Sequence, residues 1–547
     1  MKRILALLLG LMMLCSVAAA ETLTGEAEGF AGPIKATVTV EDGKIVALEL
    51  VGNDETPGIG AAALEPLTEA ILEAGTIDGV DAYSGATWTS NGVFAAIRNA
   101  LGIAEEEAEE SVLSATAGAI NHGIGVVATP RLGPGKDDKD VPVYSFNVII
   151  AYAVTDAEEK IIDLDVDILE IITPNHDGAE DNFIAGWPGA VYNEDSDGDG
   201  AVDGEYAQTE ENFVSMLKAF RTKRQLGDLY KMNSGTWTQE MDAYESALRG
   251  LNAEEITAWA EKYLSDVNGR ALHGTSSNEQ DQAKWDALTD EEKAAMDAIS
   301  GATMSLNDAH GDILSAILKA LANQKPVDAK TDVAGLGLGT VVTPRLGPGK
   351  DDQEVPVYSF NVVTAGALYD AEGKIVAIRE DILEIITPNH DGAEDNVFIG
   401  WPGQSYNNDA DGDGVVDGVA EQSEDSFVET IKTYRTKRDL GSLYKMNSGT
   451  WTSEMDVFES FFAGKSAAEI RTFFEKQCSD SNGRVIREGT TNEADLAKWN
   501  ALTDEEKANV DALSGATMSL SDAHGDLLGA IEASFAACKP VSITVEK

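Results

Sequence analysis

One long block of sequence occurs twice in this 547-residue chain, and the spacing between its copies never changes. The stretch VVATPRLGPGKDDKDVPVYSFNV, starting at Val126, returns as GTVVTPRLGPGKDDQEVPVYSFNV, starting at Gly339. Pro130 and Pro344 stand 214 positions apart. The same offset relates His176 to His390, Trp187 to Trp401, Asp195 to Asp409, Trp237 to Trp451 and Thr303 to Thr517. No insertion interrupts these landmarks. Whatever unit the first copy folds into, the second must fold into again, so the chain is built by tandem duplication.

Within each copy the order of elements is legible. YSFNVIIAYAV and KIIDLDVDILEII read as strands, and GDILSAILKALA as a closing helix. Between them lies an insert with helical patterns such as ENFVSMLKAFRTKRQLG and ALTDEEKAAMDA, the latter with a Thr289-x-x-Glu292 capping box. A shorter unit precedes both copies. Its Ile34–Val40 segment alternates apolar with polar, Glu41-Asp42-Gly43 is a hairpin signal, and Lys44–Val51 is the partner strand. GAAALEPLTEAILEAG reads as a helix stopping at Gly75, and NGVFAAIRNALG as a second. AEEEAEESVLSATAG, from Ala104, and KPVDAKTD, from Lys325, read as linkers. The expected fold class is α+β: three tandem domains of antiparallel strands followed by helices, the last two elaborated by the insert. The boundaries are a leader at 1–20, a minimal domain at 21–103, a linker at 104–119, an elaborated domain at 120–324, a linker at 325–333 and its duplicate at 334–547.

The charge balance narrows the partners. Forty basic against 95 acidic residues give a net charge of −55, which repels nucleic acid and anionic lipid and suits divalent cations. Lys2 and Arg3, an apolar run from Ile4 to Leu14 and Ala18-x-Ala20 before Glu21 form a secretory leader with a cleavage site. The chain is therefore expected outside the cytoplasm, secreted or associated with the cell surface. A lipid anchor on Cys15 is a minor alternative, because Leu14 is larger than the residue usual before such a cysteine. Beyond the leader only Cys478 and Cys538 remain, either as two isolated thiols or as a pair. Without C-x-x-C or C-x-x-C-H, iron–sulfur clusters, c-type haem and cysteine zinc sites are not expected.

The strongest motif occurs three times: DAYSGAT from Asp81, DAISGAT from Asp297 and DALSGAT from Asp511. Small residues let a ligand approach the backbone, and a helix that follows would aim its free N–H groups at the turn, a good place for a phosphate. The threonine hydroxyl is placed to join one. A helix cap needs only a Ser or Thr, not the whole string three times over.

These residues resemble the FMN-binding domains of the flavin-bearing subunits of the sodium-pumping NADH:quinone oxidoreductase and of Rnf complexes, whose motif is D-[GA]-x-[ST]-G-A-[TS]. The resemblance covers nearly all of the first unit, including its Glu55-Thr56-Pro57-Gly58 turn. It is weaker in the long units, where Ile172-Thr173-Pro174-Asn175 and Ile386-Thr387-Pro388-Asn389 replace that turn. It implies up to three FMN groups, each held by a phosphoester on the last residue of its motif: Thr87, Thr303 and Thr517. Asp81, Ser84, Gly85 and Ala86 would be recognition and cradle residues, as would Asp297, Ser300, Gly301 and Ala302, and Asp511, Ser514, Gly515 and Ala516. It also implies an FAD-dependent flavin transferase as a partner, a membrane-bound electron donor, and an extracellular acceptor or reductase. The resulting reading is an extracytoplasmic electron carrier, rather than an enzyme with its own substrate. Two alternatives stand beside it: a calcium-stabilised binding or adhesion protein without flavin, and a flavin-dependent reductase of one small acceptor.

Other constellations are weaker. Asp195, Asp197, Asp199 and Asp203, repeated as Asp409, Asp411, Asp413 and Asp417, have the oxygen-rich spacing of a calcium loop, without the closing glutamate of an EF-hand. His310 and His524 lie seven residues past their threonines and are expected on the following helix; His176 and His390 are equally ambiguous. Trp88, Met304 and Met518, directly after the threonines, are expected to be core. Arg221-Thr-Lys223-Arg224 and Arg435-Thr-Lys437-Arg438 are expected on exposed helix faces. PRLGPGKDD lacks the upstream glycine of a P-loop and has Asp after its lysine.

Overall fold

A computed structural model describes most of residues 21–545; residues 1–20, 103–113, 173–190, 195–200, 386–404, 409–414 and shorter loop stretches lie outside the described residues. The proposed leader, with Cys15, is among those outside. The chain divides into two compact units, Met1–Ser111 and Val112–Lys547. Both are mixed α+β with antiparallel sheets, as the alternating patterns require.

In the first unit, β1 (Glu21–Glu28), β2 (Pro33–Glu41) and β3 (Lys44–Val51) form an antiparallel sheet in that order. β1 is a strand that the sequence reading did not place. The alternation of β2 buries Ile34, Ala36 and Val38 beneath α1 (Gly60–Ala74) and α2 (Thr87–Leu101), whose Leu67, Ile71, Val93 and Ile97 complete the core. Gly75, at φ +69°, ends α1 and donates its N–H to the Ile71 carbonyl. α2 lies directly on β1: a Cβ on Gly25 would sit 2.2 Å from the Ala96 carbonyl oxygen.

In the second unit, β4 (Ser114–Ala117) precedes the first copy, which contributes β5 (Asn121–Pro130), β6 (Phe146–Thr155) and β7 (Ile161–Ile171). Its insert holds α3 (Glu210–Ala219) and α4 (Trp237–Leu248), and α5 (Ile313–Ala322) closes it, followed by β8 (Lys325–Pro326). The second copy repeats this as β9 (Val333–Pro344), β10 (Phe360–Tyr369), β11 (Ile375–Ile385), α6 (Glu424–Lys432), α7 (Trp451–Phe462), α8 (Leu527–Ala536) and β12 (Lys539–Val545). The sheet orders are β8-β5-β6-β7 and β11-β10-β9-β12-β4. The closing helix again lies on glycines of the first strand. Cβ atoms on Gly125 and Gly339 would meet the Ala316 carbonyl oxygen at 2.2 Å and the Ser534 nitrogen at 2.0 Å.

Both segments expected to be linkers contain sheet residues. β4 pairs in parallel with β12, β8 pairs with β5, and the Val327 N–H reaches the Ile120 carbonyl. Their backbone groups are satisfied by ladders rather than by water.

The two sheets share one apolar core. Phe146, Val148 and Ile150 from β6 belong to the same buried cluster as Leu338, Val362, Leu383 and Ile543 from the second copy. Every residue of β6 and β7 is buried, because helices cover one face and the other sheet covers the opposite face. The contacts between copies are reciprocal. α3 packs on β9 and α6 on β5. Gln225 donates to the Thr340 carbonyl, while Asp439, its counterpart, accepts from Lys319, which also reaches the Val126 carbonyl. Lys325 binds Asp456 at 2.7 Å, and its counterpart Lys539 binds Glu245 at 3.2 Å. Such mutual contacts are those of a twofold arrangement. Tyr152 and Gly366 are counterparts across it, and Tyr152 lies against Gly366, where a Cβ would be 2.2 Å from a ring carbon. One aromatic ring fits there, not two.

In the basic islands Arg221 and Arg435 are exposed as expected, but Lys223, Arg224, Lys437 and Arg438 turn inward, contrary to the expectation of exposed faces. Lys223 Nζ and Arg131 Nε each lie 2.9 Å from Glu170 Oε1. Lys437 and Arg345 hold Glu384 in the same way. Arg224 pairs with Asp165, Asp242 and Glu245, and Arg438 with Asp456 and Glu459. The acidic strands β7 and β11 can be buried only with such partners, and the insert supplies them. Burial acts to raise the Glu170 carboxyl, but Lys223 and Arg131 hold it down at about 2. Cys478 and Cys538 are both buried, and no disulfide joins them.

Two outcomes test this packing. Gly366→Ala should cost about 1–3 kcal/mol in urea unfolding, because the new methyl overlaps the Tyr152 ring; a Tyr152→Ala background should remove that cost. Glu380, fully buried and facing Glu459, has no hydrogen-bond partner on either oxygen, and Val166 stands at its place in the first copy. Burial and then the Glu459 charge push its carboxyl well above the ordinary range, against Arg438. A raised carboxyl contributes stability at acid pH that is lost as pH rises. Glu380→Val should therefore stabilise the protein by about 1–3 kcal/mol at pH 7 and by less at pH 4, measured from urea midpoints.

Candidate functional site

The third motif copy is the best described. Asp511 is exposed near the end of the helix Asp504–Ala512; Gly515 is exposed, Ala516 buried and Thr517 half-buried. Beneath them lies Glu454, on the first turn of α7 and 1% exposed. Thr450 caps α7 through its side chain and aims this turn at the motif. The Thr517 hydroxyl donates to Glu454, with Oγ1 2.9 Å from Oε1 and 3.0 Å from Oε2. The N–H groups of Thr517 and Met518 donate to Oε2 at 2.6 and 3.0 Å. Ser448 Oγ lies 2.6 Å from both Glu454 Oε1 and the Gly515 carbonyl oxygen. One carboxylate thus gathers the turn's N–H groups and the candidate acceptor hydroxyl.

The same design recurs. In the first copy, Glu240 on α4, 2% exposed, accepts from the Met304 N–H at 3.1 Å, while the Tyr244 hydroxyl donates to the Met304 carbonyl at 3.0 Å. In the first unit, Glu55 of the Glu-Thr-Pro-Gly turn, 4% exposed, accepts from the Thr89 hydroxyl at 2.7 Å. A Cβ on Gly60 would fall 2.1 Å from Glu55 Oε2, so that turn requires its glycine for close approach. The first unit takes its carboxylate from the loop ahead of α1; the long units take theirs from the insert. Glu240 and Glu454 were missed in the sequence reading. The available signal was the string NSGTWT-x-EM, present at 233–241 and again at 447–455.

The helix expected directly after the motif is present only in the first unit, where Thr87 is the first residue of α2. In the long units α5 and α8 begin later, at Ile313 and Leu527, capped by Asp312 and Asp526. A short hairpin, Ser521–Asp522 with Gly525–Asp526, intervenes in the second copy. Gly311 and Gly525, at φ +147° and +133°, turn the chain into these helices. The helix that follows the motif therefore does not start at Thr517; Glu454 occupies its N–H group instead. His310 and His524 precede these helices rather than lying on them, and lie outside the described residues, as do His176 and His390.

Asp81, Ser84, Gly85, Ala86, Ser300, Gly301, Ala302, Thr303 and Ser514 also lie outside the described residues, as do the side chains of Thr87, Trp88 and Asp297. Met304 and Met518 are buried, as core residues should be. Of the candidate calcium ligands, Asp195, Asp197, Asp199, Asp409, Asp411, Asp413 and Asp417 lie outside, and Asp203 is exposed. The loops they occupy are the tips of two hairpins, Val191–Glu194 with Gly204–Ala207 and Ser405–Asn408 with Gly418–Glu421. Among the described residues no group of three His, Cys, Asp or Glu side chains could hold a metal. Nor is any helix among them long and apolar enough to cross a membrane.

Thr517 and Ala516 open onto a cavity of about 430 Å³. Arg484, Arg487, Val485 and Ile486 line it together with the acids Glu488 and Asp495, and Arg487 donates to the Ala516 carbonyl at 3.0 Å. Two guanidinium groups, apolar surface and a hydroxyl at the rim suit a ligand with one anionic and one flat apolar part.

Residues 29–102 match the FMN-binding domain family. The chain is also similar to a chlorophenol reductase of Desulfitobacterium hafniense, 30% identical over 197 residues. That match takes in 34% of this chain and 52% of the relative, so the chain spans about half the length of that protein.

Proposed function

We propose that this FMN-binding protein, whose matches support a flavin-binding electron-transfer role, works outside the cytoplasm as a relay with FMN esterified to Thr87, Thr303 and Thr517. The observation that carries the reading is the Thr517 hydroxyl, held by a buried carboxylate at the rim of a ligand-sized cavity. The donor set fits FMN. Arg484 and Arg487 would balance its phosphate, Val485 and Ile486 would line its ring system, and Thr517 would carry the ester. Bound FMN supplies one- and two-electron transfer. The chain's own task is to fix the group's place and to keep it from diffusing away outside the cell.

The partners in this reading are an FAD-dependent flavin transferase, a membrane-bound donor and an extracellular acceptor or reductase. The two Asp-rich hairpin tips would be stiffened by calcium. A second reading has one specific observation behind it, the likeness to a chlorophenol reductase: reduction of a particular small acceptor by the bound flavin.

Intact mass separates flavin from no flavin. The full chain co-produced with a flavin transferase should gain three FMN phosphoester increments, and Thr87→Ala, Thr303→Ala and Thr517→Ala should each remove one. An unchanged mass in the presence of an active transferase would overturn the covalent reading. For the reductase, the photoreduced protein should reoxidise with one acceptor, chlorinated phenols being the first to try, far faster than with others of similar potential. A relay would show rates that follow potential alone.

A further inference from the structure

The covalent reading leaves a chemical question that the geometry addresses. A threonine hydroxyl is a weak nucleophile at neutral pH and is activated by an adjacent base. Thr517 Oγ1 has one proton to donate. It lies within 3.0 Å of both oxygens of Glu454, and the N–H groups of Thr517 and Met518 together with Ser448 fix that carboxylate. With its proton directed down to Glu454, Oγ1 has its lone pairs left for the outer side, where Thr517 lines the cavity.

We propose that Glu454 is the residue that positions Thr517 for flavin attachment and takes its proton; this rests on the covalent reading above. In the step, Thr517 Oγ1 attacks the FMN-side phosphorus of FAD presented by the transferase. The Oγ1–P bond forms, the bridging P–O bond of the pyrophosphate breaks, and AMP leaves with the bridging oxygen. The hydroxyl proton passes to Glu454; nothing is oxidised or reduced. The insert thus equips the second copy for modification.

The assignment explains features that a helix cap leaves unexplained. Glu454 and Glu240 are almost fully buried. Glu454 holds the last residue of its motif, Glu240 accepts from the residue just after its own, and the string that carries them recurs at the repeat offset.

The test is a time course of flavin addition to the full chain with flavin transferase and FAD, read by peptide mass at each threonine. Glu454→Gln should slow attachment at Thr517 by about 10²-fold or more while the rate at Thr87 in the same molecules stays unchanged. Glu454→Asp should recover part of the rate. Should Glu454→Gln fail to fold by circular dichroism, Ser448→Ala, which removes one anchor of the carboxylate, should slow Thr517 several-fold and leave Thr87 alone. Equal rates at Thr517 in wild type and a folded Glu454→Gln would overturn the assignment. A wild type that takes flavin at no threonine would instead overturn the covalent reading on which it stands.

Discussion

Everything in the larger unit depends on two sheets burying one another. A sheet made of three or four strands, covered by helices on one face, leaves its other face exposed. Here the duplicate supplies the cover, and Phe146, Val148 and Ile150 meet Leu338, Val362 and Leu383 in one core. That arrangement decides what the rest of each copy must do. Strands covered on both faces cannot carry acids without partners, so the acids of β7 and β11 are answered by Arg224, Lys223, Arg438 and Lys437 from the inserts. The inserts are therefore part of the core's electrostatics as well as of the site.

Duplication also explains where the copies differ. Two identical units meeting about a twofold bring equivalent positions face to face, and large side chains there collide with themselves. Tyr152 opposite Gly366 resolves one such collision. The charge pattern has diverged beside it: Asp165 of the first copy corresponds to Arg379 of the second, and Val166 to Glu380. Arg379 joins Asp456 and Glu459, while Lys539 serves Glu245 from the other side. Both copies keep the paired lysine, while the strand charges beside it have changed.

Much of this was legible in the sequence, for physical reasons. Period-two alternation in Ile34–Val40 marks a sheet with one buried face, and the structure places β2 there with its apolar side beneath the helices. The fixed offset predicts one topology used twice, and the sheets β5-β6-β7 and β9-β10-β11 have it. Burial of the basic islands was not legible, because a Lys or Arg on a short polar segment looks the same whether it meets water or a buried acid distant in sequence. The helix start in the long units was misplaced for a related reason. A Ser-Gly-Ala-Thr string before an apolar run is also what an N-terminus looks like, and only the tertiary carboxylate from α7 shows that the turn's N–H groups are bound elsewhere.

The site's logic lies in that substitution. A turn with free N–H groups and a hydroxyl needs something to organise it before any ligand arrives, and a buried carboxylate can hold both N–H groups and the hydroxyl together. In the first unit Glu55 accepts from Thr89, two residues past the motif, and its close approach to the chain requires Gly60. The long units lack that loop, yet the carboxylate is still present, brought from the insert by a capped helix whose first turn points at the motif. A purely structural cap could have been met by any short polar side chain nearby. That one glutamate binds both N–H groups and the hydroxyl at Thr517 argues that what the turn requires is the carboxylate itself.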